Sequence, residues 1–291
     1  MRVLYYVLAT CLLLPAMPAW SALSCSISPN PLVLRPVYTD SGQTLQGTLD
    51  LTCTRSHASD EKKPQIWIGL DQTTAGRTVN RVTGGSTIDY EVFHGSATQG
   101  TWTGAGTDQG PGSTNDGPVV DTLDFGTGNS FSVVKSYNFW LQVPGLQNPG
   151  AGEYRDAIPI SLRVLNVGGA VITTATLDVI ITVPRVCRFS TAPTPININY
   201  QAFSPSAVTG SSQFGMTCTQ GTTYTMSLDK TRSVVPGVEL AYGLNLSAGS
   251  ATGTAQAQPY SVNISVDPGQ PGRCNAAVCT GTDTRTLTVT Y

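Results

Sequence analysis

Apolar and polar residues alternate with a period of two along most of the chain. Leu49, Leu51 and Cys53 share one side of such a run, as do Ile66, Ile68 and Leu70, then Ile88, Tyr90 and Val92, then Tyr137, Phe139, Leu141 and Val143. Two longer runs follow, Ile158 to Val164 and Leu177 to Val183. Further on come Phe214–Met216–Cys218, Tyr224–Met226–Leu228, Leu240–Leu246, Tyr260–Val266 and Leu287–Val289–Tyr291. This period puts successive side chains on opposite faces of a strand, one face for a core and one for water. Between the runs stand turn formers: Gly84-Gly85, Asp116-Gly117-Pro118, Gly168-Gly169 and Asp267-Pro268-Gly269. No window of ten or more residues favours a helical period. The pattern predicts an all-β protein, two sandwiches in tandem.

The first residues read as an address. Arg2 supplies a positive start, Val3 to Met17 an apolar stretch, and Ala19-Trp20-Ser21-Ala22 a small-residue cleavage region, so residues 1–22 are expected to be a signal peptide. No later segment reaches the ~18 apolar residues needed to cross a bilayer. Removing the leader removes Cys11 and leaves Cys25, Cys53, Cys187, Cys218, Cys274 and Cys279, an even set that in an exported chain suggests disulfides. Six cysteines allow fifteen pairings, and repetition narrows them. Cys25 is followed 28 residues later by Cys53-Thr54, and Cys187 is followed 31 residues later by Cys218-Thr219. Each second cysteine ends an alternating run. The repeat implies two related domains, each with a staple near its start, worth about 3–4 kcal/mol under the chain-entropy description. Cys274 and Cys279 are expected to close a small loop at a hairpin tip. The boundary falls at Val183-Pro184-Arg185-Val186, giving domains of residues 23–184 and 185–291. Much of the first domain's extra length lies in the Gly/Thr-rich stretch Gly95–Gly117, which contains Trp102, and in the Pro144–Gly152 loop.

Composition narrows the chemistry. Charged residues make up 12% of the 291 and the net charge is −2, which offers no general attraction to phosphate backbones, so nucleic acid is not an expected partner. The only histidines are His57 and His94, and neither stands near a suitable cysteine pair, so no metal site is expected. His57 belongs to the charged run Arg55–Lys63, which reads as a solvated hairpin loop. The acid pairs Asp121/Asp124 and Glu153/Asp156 could in principle serve glycoside hydrolysis, yet each is more simply a pair of solvent-face residues. No nucleophile elbow or phosphate-binding loop is present. Catalytic residues and cofactors are therefore not expected, and the protein is not read as an enzyme. Trp102 could stack on a sugar or an apolar surface, or could equally be a core residue at a strand start.

The pieces then resemble the spore coat protein U family, whose domains serve as pilins in archaic chaperone–usher pili. The resembling residues in the second domain are Cys187, Cys218-Thr219-x-Gly221-x-x-Tyr224, Gln270-Pro-Gly-x-Cys274 through Cys279, and the final strand Arg285–Tyr291. In the first they are Cys25, Cys53-Thr54, Asp89-Tyr-Glu-Val-Phe93 with Trp102 beyond it, and Gly152-Glu-Tyr-Arg-Asp156. The resemblance implies immunoglobulin-like sandwiches, the C-terminal one incomplete and strand-accepting. An open groove is filled first by a periplasmic pilus chaperone and then by the leading segment of the adjacent pilin subunit, by strand addition at an exposed edge.

At most Ala22-Leu23-Ser24 precedes Cys25 after cleavage, a reach of about 10 Å at ~3.3 Å per residue and too short to complete another sandwich. A chain that accepts a strand without donating one belongs at the end of a fibre. The resemblance is thus to two-domain tip adhesins, exported through the periplasm and an outer-membrane usher to the pilus tip, where they support attachment and biofilm formation. In such adhesins distal loops of the first domain meet an abiotic or host surface. The candidates here are Trp102 and Leu146, while Leu287, Val289 and Tyr291 would form the edge that pairs with chaperone or donor strand. The alternatives are a spore-coat-like structural or matrix protein and a secreted carbohydrate-binding β-protein.

Overall fold

The computed structural model describes residues 23–58, 60–70, 76–104, 110–128, 131–164 and 169–291; the leader read over 1–22 lies outside them. The first half contributes β1 (Ser24–Ser28), β2 (Leu32–Leu34), β3 (Gln43–Thr54), β4 (Gln65–Leu70), β5 (Arg77–Arg81), β6 (Thr87–Ser96), β7 (Gln99–Thr101), β8 (Val119–Thr122), β9 (Ser132–Val143), β10 (Gly152–Val164) and β11 (Val171–Val183). The second half contributes β12 (Cys187–Thr191), β13 (Val208–Cys218), β14 (Thr223–Leu228), β15 (Arg232–Val235), β16 (Leu240–Leu246), β17 (Ser250–Thr252), β18 (Ala257–Val266) and β19 (Leu287–Thr290). The fold is all-β, and the alternating runs are its strands.

In the first half β1, β3, β9 and β6 make one layer, and β8, β4, β10, β11 and β2 make the other, with β5 joining β6 to β10. The Ser28-Pro29-Asn30-Pro31 link carries the chain from one layer to the other: β1 pairs with β3, while β2 lies parallel to β11. Prolines have no backbone N–H to offer a ladder, so pairing stops there. Between the layers Leu49, Leu51, Ile66, Leu70, Val92, Leu141, Ile158, Ile160, Leu162, Leu177, Val179 and Ile181 are fully enclosed.

The second half repeats this plan. β12, β13, β18 and β16 stand in the order of β1, β3, β9 and β6, with β15 beyond, and β17, β14 and β19 stand as β8, β4 and β10 do. Cys25 faces Cys53 across β1 and β3, just as Cys187 faces Cys218 across β12 and β13, and both pairs are disulfide-bonded. Among the described residues nothing in the second half corresponds to β11 or β2. Residues 192–200 form no strand, and among the described residues β19 pairs with β14 alone.

Two local expectations are corrected. The bonded Cys274–Cys279 ring does not cap a hairpin, because β18 and β19 lie in different sheets. It sits in the connection between them, beside the β15–β16 turn, where the Arg273 N–H donates to the Val238 carbonyl at 2.7 Å. The Arg55–Lys63 stretch likewise is no hairpin loop, since it leads from β3 in one layer to β4 in the other.

Candidate binding pole and strand-accepting groove

The free edge of β19 borders a groove. Leu287 and Val289 point into the second core and remain half-exposed, together with Leu228, Leu244, Leu246 and Tyr260. Their counterparts on β10, Ile158, Ile160 and Leu162, are completely covered, because β11 lies beside them. The far wall of the groove is the segment 194–200. Its start is held by the Thr194 N–H, which donates to Ser212 Oγ at 2.8 Å, and its end by the Gln270 N–H, which donates to the Tyr200 hydroxyl at 2.9 Å. Ile196 and Ile198 lean over Gly210, where a Cβ would come within 2.9 and 2.7 Å of their methyl groups, so any larger residue there would have to push this wall outward.

The entry to β19 is fixed by charge. Arg285 donates to the Tyr242 hydroxyl at 2.8 Å and to Ser233 Oγ at 2.6 Å, and it also pairs with Asp283 and Asp229. Hydrogen bonds from Tyr242 and Arg285 hold the Asp283 carboxyl below its usual range. The polar strut thus aligns an apolar, unpaired edge.

The other candidate site lies at the pole of the first half remote from Val183, where the chain leaves for Cys187. Here the connections β3–β4 and β8–β9 meet over one buried cation. The Arg55 guanidinium lies 5.4 Å from the Phe125 ring centre and 5.6 Å from that of Phe131, and it donates to the carbonyls of Asp60 at 3.1 Å and of Ala58 and Gly128 at 3.4 Å. The Asp60 carboxylate accepts from the Ser56 and His57 amides at 3.0 and 2.7 Å. Lys63 pairs with Asp124 at 3.1 Å. Around this knot Phe131 is 44% exposed and Val134 62% exposed, so apolar groups face water on a braced support.

Three sequence candidates change standing. Trp102 is not a surface anchor: it is 2% exposed, its ring lies 5.4 Å from that of Phe139, and its indole N–H donates to the Ile68 carbonyl. A buried Trp N–H usually finds an acceptor, and here the Ile68 carbonyl supplies it. Leu146 is 80% exposed, but its loop joins β9 to β10 at the pole of chain exit, because Gly152 pairs with Val183. Gln147 fastens that loop to the backbone of Asp89, and the neighbouring Ala151 N–H donates to Gln220 of the second half at 2.9 Å. Leu146 therefore does not belong to the remote pole. Tyr291 stands one residue beyond β19 and is exposed.

The acids have structural partners. Asp121 accepts from Lys135 Nζ at 2.6 Å and from the Tyr137 hydroxyl at 2.9 Å. Burial would raise its pKa, but these bonds outweigh it and hold the carboxyl low. Asp124 accepts from the Gly126 N–H, Asp156 from the Tyr90 hydroxyl, and Glu153 from Arg155. His57 is exposed, whereas His94 is buried within β6. Among the described residues no three His, Cys, Asp or Glu side chains gather as metal ligands, and no helix is long and apolar enough to cross a membrane. Sequence reasoning missed Arg55 and Phe131. The one available signal was an arginine directly after a core cysteine strand.

Among the described residues the chain holds two disulfide-stapled β-units in series, the first completed by a strand that has no counterpart in the second. The chain matches the Spore Coat Protein U domain over residues 13–161 and 173–251 and belongs to that family. Among solved structures it is similar to the tip adhesion subunit of archaic Csu pili of Acinetobacter baumannii, crystallised with its chaperone, at 13% identity over 92% of this chain and 100% of that one, TM-score 0.46. It is similar to the CupB6 tip adhesin from Pseudomonas aeruginosa at 13% identity over 93% and 96% of the two chains, TM-score 0.41. CfaE, the adhesive subunit of a fimbria of enterotoxigenic Escherichia coli, matches at 8% identity over 90% and 98%, TM-score 0.33. No curated protein matches the sequence.

Proposed function

We propose that the chain is a non-catalytic tip adhesin of a chaperone–usher pilus. Residues 23–184 form the surface-binding domain and residues 185–291 the domain that joins the fibre. The observation that carries this is the contrast at one position of the repeated fold: β11 covers β10 in the first half, while β19 offers an unpaired edge and a half-covered apolar core in the second. Strand addition would satisfy both, the ladder supplying affinity and alternate side chains filling the groove. A periplasmic chaperone would occupy the edge before secretion through the usher, and a pilin's leading strand afterwards.

Surface contact is assigned to the pole braced by Arg55, with Phe131 as its apolar contact. One such side chain contributes only about 1.5–3 kcal/mol, so attachment would rest on many tips acting together. The test combines immunogold labelling of piliated cells with a Phe131→Ser variant. Gold is expected at fibre ends, and the variant should keep its pili and attach less to polystyrene. Gold spread over the cell body would instead support a coat or matrix protein.

A further inference from the structure

The strand that completes the first half has an unusual place in the chain. β11 ends at Val183, and only Pro184, Arg185 and Val186 separate it from Cys187, the first cysteine of the second repeat. The family match follows the same division: it stops at residue 161, inside β10, and resumes at 173, inside β11. By that division β11 heads the second repeat while its side chains lie in the first. Ala175, Leu177, Val179, Ile181 and Val183 all point into the first core, and none is more than 5% exposed.

The surroundings of β11 match those of the open groove. β11 lies between β10, to which it is antiparallel from Gly152↔Val183 to Arg163↔Val171, and β2, to which it is parallel. In the second half the equivalent neighbours are β19 and residues 194–200, and no described strand lies between them.

We infer that β11 is the leading strand of the second unit, inserted in cis into the first. The protein is then two strand-accepting units in series. The first is filled by the segment ahead of Cys187, and the second is open to a strand of the same chemistry from another chain. That chemistry is an alternating apolar segment antiparallel to β19, small at its first inward position like Ala175 and larger at the next ones. The working boundary between units lies between β10 and β11, not at Pro184. The inference rests on the proposed strand-accepting role of the second half, though its test does not use that role.

A specific protease site replacing residues 166–168 parts the units in the otherwise whole chain. No disulfide bridges the cut, since Cys25–Cys53 lies on one side and both other pairs on the other. The cut protein is expected to elute as one species. After a denaturant pulse, a labelled peptide of residues 170–184 in excess should replace the resident strand and travel with the first piece; a peptide carrying Leu177→Asp and Ile181→Asp should not. A first piece that melts cooperatively with neither strand present, or that takes up no peptide, overturns the inference. Absence of surface attachment by the uncut protein, with intact peptide exchange, would count against the adhesin reading alone.

Discussion

The indole N–H of Trp102 donates to the carbonyl oxygen of Ile68 at 2.9 Å, tying the Gly/Thr-rich excursion after β7 to the central strand β4. The Trp102 carbonyl in turn accepts from the buried Arg77 at 2.7 Å, and its N–H donates to Val92. Trp102→Ala should therefore lower the unfolding free energy of the first half by about 3–5 kcal/mol, as large aromatic deletions in cores do. Trp102→Phe, which keeps most of the packing and strands one carbonyl, should cost about 1–3 kcal/mol. Denaturant melts followed by tryptophan fluorescence and circular dichroism would measure both. Unchanged stability with lost attachment would restore Trp102 as a surface residue.

His94 gives the first half a sensitivity to mild acid. Burial pushes its pKa below the ordinary 6.5, against the opposing influence of the Asn115 backbone and the Asp116 carboxylate. A group whose folded pKa is depressed adds stability above its unfolded pKa and loses it as pH falls through the folded one. The loss begins near pH 6.5, with a limiting slope of about 1.4 kcal/mol per pH unit for one proton. Asp121 acts in the same direction, but only below the ordinary carboxylate range, where its low folded pKa lies. Melting temperatures between pH 7 and 5 should fall in the parent and stay flatter in His94→Phe. Parallel curves would remove His94 from this role.

On β19 the two faces should behave differently. Val289 points toward the groove and Thr288 toward water. Val289→Asp places a charge where the proposed partner strand would pack and should reduce co-purification with a co-expressed pilus chaperone more than tenfold, about 1.4 kcal/mol or more. Thr288→Asp should change it little. Equal losses from the two substitutions would mean that the apolar side of β19 does not pair.

Strand identity was legible wherever a buried face alternated with a wet one, as along Leu177 to Val183 and Tyr260 to Val266, because sheet geometry imposes that period directly. Burial of Arg55 was not legible. A charged residue in a charged run reads as solvated, and the rings that flank it come from residues 125 and 131, brought there only by the folded topology. Trp102 failed for the same reason: its acceptor and its ring partner, Ile68 and Phe139, lie more than thirty residues away on either side. The pole on which Leu146 stands depended on the direction of β10, which alternation alone does not specify.

The direction of β11 also decides how the first half would bear load. A pull between the remote pole and Pro184 acts along the axis of β11, while its hydrogen bonds to β10 and β2 lie across that axis. Tension therefore meets the ladder in shear, with its rungs sharing the force at once instead of opening one by one. In a tether, the strand that closes the first half is also its mechanical clamp.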